Sequence, residues 1–361
     1  MQAPEPRLVL VLAPLLLAAC PDREKTRPKP DAAVAVKPDT KAPAPGPRYE
    51  SCAGLTAEKL PGSVAIFGLR LVPRDGDAVL RPESPAPAGR RLALGVLGDT
   101  KEALPKTLDQ LDRLVAWFRV MGVSAVVVLG GIDTTFEGIR DILGRLQRLG
   151  PVLALPGDRE SRSGFQAAAE AYPRVVDLTR VRALSCPRLV GLIAVPGYHL
   201  PHHLHAREQG CSYDEVAIRA LVPLARELPA PRVLVAHTPP RGQGARAVDR
   251  AFGKVNIGDP KLSRLMREAK IPFGLFAHVH ESAGHATTLA GEPVPERTWS
   301  PSLLLNVGSA DSVPHEDVEG RWSRGTAALF ELEKGRARYR MVDLARLPGQ
   351  PASQGEEKNL P

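Results

Sequence analysis

The chain has 361 residues, 43% of them hydrophobic, enough for one large folded domain with a buried core. Its formal net charge is +8, which suits an envelope surface or a phosphate-bearing ligand. Aromatic residues make up only 4% and no nucleic-acid-binding motif accompanies the basic excess, so no nucleic-acid partner is expected.

Residues 1–20 read as a targeting segment. Arg7 precedes an apolar stretch from Leu8 to Leu17, and Ala18-Ala19-Cys20 follows. The stretch is too short to span a bilayer. Leu17-Ala18-Ala19-Cys20 resembles the lipobox of bacterial lipoproteins. That resemblance implies that Cys20 is acylated and anchors the protein in the bacterial cell envelope, facing the periplasm or the exterior. Residues 21–50 are rich in Pro, Lys, Asp and Ala without apolar periodicity, and read as a semi-extended tether. Residues 51–347 form the folded domain, and 348–361 read as an unstructured tail.

Within the domain, apolar runs alternate with amphipathic stretches. Val64 to Val72 and Ala78 to Leu80 flank Arg74-Asp75-Gly76-Asp77, a hairpin signal. Arg91 to Leu97 predicts a buried strand. Leu104 to Met121 predicts a helix, with Leu108, Leu111, Leu114, Val115 and Phe118 on one stripe. A strand from Ala125 to Leu129, a helix from Phe136 to Leu149 and a strand from Val152 to Leu155 come next. Leu189 to Val195 is another strand. Asp214 to Leu228 predicts a helix with Ser212 as its cap. Val233 to Val235, a helix from Lys261 to Ala269, and Phe273 to Phe276 continue the alternation. The end is β-rich: Leu303 to Val307, Ala327 to Glu333 and Arg336 to Val342. This order indicates an α/β layered fold. Besides Cys20 there are Cys52, Cys186 and Cys211, which cannot all pair within one chain. Cys186 with Cys211 is one candidate pair, and Cys52 with either is another.

Four motifs sit at predicted strand ends: Gly98-Asp99-Thr100, Ala236-His237-Thr238, Ala277-His278-Val279-His280 and Asn306-Val307-Gly308-Ser309. Asp and His are metal-ligand types, and the carboxyl ends of buried strands are where open sheets build sites. At these residues the chain resembles the calcineurin-like metallophosphoesterase superfamily. The resemblance covers roughly Arg91 to Asp343. It implies an α/β, four-layer αββα sandwich, with two central mixed β-sheets flanked by helices. It further implies two divalent metal ions (Zn, Mn or Fe) about 4 Å apart that clamp a phosphate.

Carried over residue by residue, Asp99 and His280 match ligands of the first metal. His237 and His278 match ligands of the second, and Asp158 takes the place of its Asn ligand. The pattern also departs from the family. Lys101 stands where the first motif has its His. Gly131 stands where the metal-bridging Asp belongs. Arg159 stands where the catalytic His does. An ammonium does not ligate, so Lys101 is expected to fill the first metal's place as a fixed charge paired with Asp99. One metal is then expected, held by Asp158, His237 and His278. Arg159 keeps its proton and cannot be a general acid, but it can grip phosphate oxygens bidentately.

Asp133 is a further candidate ligand, and helix capping is its competing role. The run from His199 to His205 contains four His, of which His199 or His202 could supply a ligand or the acid. His285 and His315 read as surface residues. Two functions follow from the resemblance. One is a membrane-anchored, metal-dependent phosphoesterase acting on a phosphorylated small molecule or envelope substrate. The other is an inactive relative that binds a phosphorylated or anionic envelope ligand.

Overall fold

Apolar strands that bury both faces must lie between two layers, and the alternation along each strand assigns its faces. In the computed structural model Val233 and Val235 point into a core between two sheets, while Leu234 and Ala236 point to flanking helices. In the other sheet Val127 faces the shared core, and Val126 and Val128 face helices on the opposite side. The result is four layers, helix–sheet–sheet–helix. The structure describes residues 50–52, 62–73, 78–87 and 89–348. The targeting segment with Cys20, residues 21–49, the Arg74 to Asp77 turn and the tail lie outside the described residues.

The first sheet has six strands. Leu92–Leu97, Ala125–Val128, Val152–Ala154 and Val175–Asp177 run parallel. Thr326–Glu333 joins Leu92–Leu97 antiparallel, and Arg336–Asp343 completes a hairpin with it. Helices α1 (Pro105–Val120), α2 (Phe136–Leu146) and α3 (Arg162–Glu170) cover its outer face. The second sheet has nine strands. Its parallel half is Val190–Val195, Arg232–Ala236, Phe273–Phe276 and Leu303–Asn306. Helices α4 (Glu215–Glu227) and α5 (Pro260–Glu268) cover its outer face.

Several expectations change in detail. The run from Val64 to Val72 is not one strand. It folds back at Phe67 and Gly68 into the antiparallel pair Val64–Ile66 and Leu69–Pro73. Both turn residues have positive φ, which an apolar run does not advertise. Helix α3 and the strands Val175–Asp177 and Ala183–Cys186 are additional elements; α3 begins at Ser161, whose side chain accepts a hydrogen bond from Gly164 N. The cap of α4 is Asp214, which accepts from Ala217 N; Ser212 lies in the strand Cys211–Ser212 instead. That short strand pairs with Glu50–Ser51.

Cys52 and Cys211 form a disulfide across 159 residues of sequence. It fixes the start of the domain to the loop after the Val190–Val195 strand. Cys186 is free and buried, and burial pushes its thiol up to about 12. Peptide mapping of the oxidised protein should recover Cys52 linked to Cys211 and leave Cys186 unalkylated until the protein is unfolded. Replacing Cys52 with Ser should cost about 2–4 kcal/mol of stability, read as a lower denaturant midpoint.

Candidate metal centre

The tips of the parallel strands of both sheets meet at one end of the sandwich. Asp99 follows Leu92–Leu97, and its N–H donates to Gly130 O at 2.8 Å. His237 follows Arg232–Ala236 and His278 follows Phe273–Phe276. Asp158 stands in the loop after Val152–Ala154. Asp99 and His278 have positive φ, at 52° and 69°. Non-glycine residues held there are uncommon and gather at functional sites, where the surrounding structure offsets the strain. Here Asp99 Oδ2 accepts the His278 N–H at 2.6 Å, so the two strained residues hold each other.

One ligand atom from each of Asp99, Asp158, His237 and His278 lies within 4.8 Å of the other three. His237 Nδ1–H donates to the Leu129 carbonyl at 2.8 Å. That bond turns Nε2 inward, 3.1 Å from Asp158 Oδ1. Both atoms are buried and face each other with no further partner. A divalent ion that takes both atoms in place of the proton between them would satisfy them. His278 Nδ1 is 3.9 Å from Asp158 Oδ2. The donor set of two carboxylates and two imidazoles therefore fits one divalent ion.

Charge supports the same reading. Burial alone would lower the pKa of His237, but Asp99 and Asp158 outweigh it and push the imidazole up to about 9. Burial, and then the neighbouring His237 charge, push His278 down to about 3. Burial also works against the charge of Asp99 and Asp158, yet their histidine neighbours hold both carboxyls below the usual range. The cradle thus balances two carboxylates with one imidazolium.

Asp99, expected at the first metal, lies in one cluster with the residues expected at the second. Its Oδ1 is 3.6 Å from His280 Nε2, which is buried without a hydrogen-bond partner at the edge of the cluster. Lys101 does not pair with Asp99 as expected. Its Nζ lies 3.5 Å from Asp311 Oδ2 and 3.2 Å from His315 Nε2. The His315 ring in turn lies 4.8 Å from that of His280. A positively charged side chain and its acid therefore line the His280 side of the centre. His315 is not a bare surface residue, and His285 is buried against Ala247 O and Glu319.

Asp133 is turned away from the ligand role. Its carboxylate accepts from the N–H groups of Ala103 and Thr135, and Thr135 is the residue that caps α2. His199 is outside the four-residue cluster. Burial pushes it down to about 4, and its ring stands edge-on to Tyr198. Arg159 has a buried Nε without a partner, and its terminal nitrogen is 3.8 Å from Glu102.

Four contributors went unrecognised in the sequence. Asp311 and His315 follow the Asn306 motif closely, but nothing local marks them. Tyr198 is buried with its ring 4.6 Å from His278 and walls the centre. Glu160 is fully buried and accepts from Gly157 N at 2.8 Å and from Ile132 N. It ties together the two glycine loops that carry Asp158 and Gly131, and burial raises its carboxyl to about 7.

Gly131 explains the missing bridging carboxylate. It has φ +66°, and a Cβ there would stand 2.3 Å from Asp99 Oδ1. A Cβ at Gly157 would stand 2.7 Å from the His237 ring. The glycine floor lets Asp99 and His237 settle into the space that a side chain would take.

No family model and no curated protein matches the chain. Solved structures do. One crystal structure superposes with a TM-score of 0.53 at 14% identity, over 71% of this chain and 100% of that chain. TT1561 of Thermus thermophilus gives 0.47 at 12% identity, over 71% of this chain and 100% of that one. A dimetal phosphatase from Danio rerio gives 0.43 at 13% identity, over 70% and 99%. At such identities the likeness concerns the fold.

Two outcomes test the centre. Below about pH 9 an entering divalent ion must displace the His237 proton, so affinity should rise about tenfold per pH unit toward that value. Calorimetry in buffers of different ionisation enthalpy should register one proton released per ion at pH 7. Gly131→Ala should push Asp99 aside and weaken Mn binding about tenfold or more, measured by equilibrium dialysis.

Proposed function

We propose that this chain, which has the calcineurin-like metallophosphoesterase fold, is a membrane-anchored phosphoesterase that hydrolyses a phosphate ester at a single divalent metal site. The observation that carries this reading is the convergence of Asp99, Asp158, His237 and His278 from four strand ends, with buried ligand atoms that lack other partners.

Those four residues would hold the ion. A divalent ion there supplies Lewis-acid polarisation of a phosphoryl oxygen and a nucleophile usable at neutral pH. Four protein ligands would close a tetrahedral zinc site. Turnover therefore favours a metal that accepts five or six ligands, Mn or Fe over Zn. Arg159 presents fixed N–H groups that orient phosphate oxygens and stabilise charge developing on them. Tyr198 excludes water from the His278 side. Lys101 adds positive charge near His280, moderated by Asp311. Glu160 positions the Gly157 and Ile132 loops without meeting the substrate.

Arg159 keeps its proton, so the group at this position cannot protonate a leaving alkoxide. Substrates whose leaving group departs as a stable anion are favoured. Membrane anchoring through Cys20 belongs to the same proposal. The Cys52 to Cys211 disulfide supports an oxidising compartment, as expected for an exported protein.

With Mn supplied, 4-nitrophenyl phosphate esters should turn over, and rates should fall as the leaving-group pKa rises. His237→Ala should reduce kcat/KM by about 100-fold or more, because the ion is lost. Arg159→Ala should raise KM and lower kcat together. Equal rates in wild type and His237→Ala would end the hydrolase reading. Stabilisation by inorganic phosphate without turnover would favour the second reading, a phosphate-binding relative, which Arg159 in place of a proton donor also suits.

A further inference from the structure

We propose that the hairpin beside the metal centre docks onto an anionic lipid surface, turning the mouth of the centre toward the bilayer. The hairpin consists of Arg250–Ala251 and Val255–Asn256, joined by Phe252–Lys254. Phe252 and Val255 are each 51% exposed, and Ile257 follows at 38%. Five of the nine exposed large hydrophobic side chains among the described residues lie here or at residues 313–322, which carry the neighbouring hairpin of His315–Glu316 with Trp322–Ser323; these two are Val313 and Trp322. Such clustering of apolar side chains on a surface marks an interaction site.

The base of the hairpin is rigid. Asp249 is fully buried and accepts from Asn256 Nδ2 and Gly258 N, both at 2.9 Å. The tip is basic. Lys254 is exposed at the turn, and Arg250 donates to its carbonyl. From 241 to 257 the chain carries Arg241, Arg246, Arg250 and Lys254 against Asp249 alone. The neighbouring hairpin is acidic: its Asp317 and Glu319 are engaged by Arg321, Glu319 also by Arg246, and Glu316 is exposed, so the positive charge left on this face is that of Arg241, Arg250 and Lys254. Apolar side chains flanked by cations are the pattern of a segment that seats at a headgroup interface.

Cations beside exposed apolar side chains select an anionic lipid surface as the occupant of this tip, which stands close to the metal centre. Both hairpins pack around the turn His280–Ser282, which carries His280 at the edge of the metal centre. Ser282 Oγ donates to Val248 O at 2.8 Å, and Val318 N donates to Glu281 O at 2.9 Å. The start of the domain is pinned at the same end. Glu50–Ser51 pairs with Cys211–Ser212, and Ser212 bridges to Tyr198, the residue stacked on His278. The chain therefore enters the domain at the same end as the metal centre.

The test uses the full chain reconstituted into vesicles of phosphatidylethanolamine and phosphatidylglycerol. Phe252→Cys carries a bimane label. Cys186 is buried and Cys52 is linked to Cys211, so among the described residues the introduced thiol is the reactive one. Val120→Cys is the control, 78% exposed at the end of α1, which runs away from the strand tips. Headgroup-level spin-labelled lipid should quench the label at 252 about threefold more than at 120. Lys254→Glu, or replacing the anionic lipid with phosphatidylcholine, should remove most of that difference. Val255→Cys serves as a second position if the first variant does not fold, and a cooperative thermal transition by circular dichroism reports folding of each. Equal quenching at 252 and 120 in folded protein overturns the proposal. So does equal quenching in neutral vesicles. Lipid-independent protection of the tip that grows with protein concentration would assign the face to a second copy and overturn it too. None of these readouts depends on turnover, so their outcome is separate from that of the hydrolase reading.

Discussion

The hydrogen bond from His237 Nδ1–H to the Leu129 carbonyl is the interaction on which the centre depends. His237 directly follows a strand of the second sheet, and Leu129 directly follows a strand of the first. The bond therefore locks the two layers together at the strand tips. It also turns Nε2 toward Asp158. A ring free to rotate would lose both functions at once, because the same imidazole serves as tie and as ligand. The ring is wholly buried, with Gly157 pressed against it, which leaves no room for another orientation.

Around that tie the site is organised by charge. Two carboxylates without an ion repel each other in a buried setting, and the raised pKa of His237 is the response. On the other side, Lys101 and Asp311 form an ion pair beside His315 and His280. A second ion near His280 would meet this fixed positive charge. Gly131 offers no side chain to such an ion, and the absence of a Cβ there leaves Asp99 its place in the cluster.

The apolar hairpin tip and the basic loop beneath it stand outside this chemistry, yet they share its end of the sandwich. Strand tips, disulfide and hairpin lie together because loops at the carboxyl ends of parallel strands all emerge on one side.

By itself the sequence determined the layers and most of the clustered acids and imidazoles. Unbroken apolar runs such as Leu92 to Leu97 can only be strands buried on both faces, and the stripe through Leu111, Leu114 and Phe118 can only be a helix against them. His237 and His278 were legible as imidazoles at predicted strand ends, and Asp158 only through the resemblance of Gly157-Asp158-Arg159-Glu160 to a family motif. The tertiary structure decided what locality cannot carry. It moved Asp99 into the same cluster, paired Lys101 with Asp311 across more than 200 positions, sent Asp133 to backbone N–H groups, and joined Cys52 to Cys211 rather than Cys186. Each of these is a choice among partners distant in sequence. Such choices are set by which side chains the packing of two sheets brings within a few ångströms, and by burial, which a residue's neighbours in the chain do not reveal.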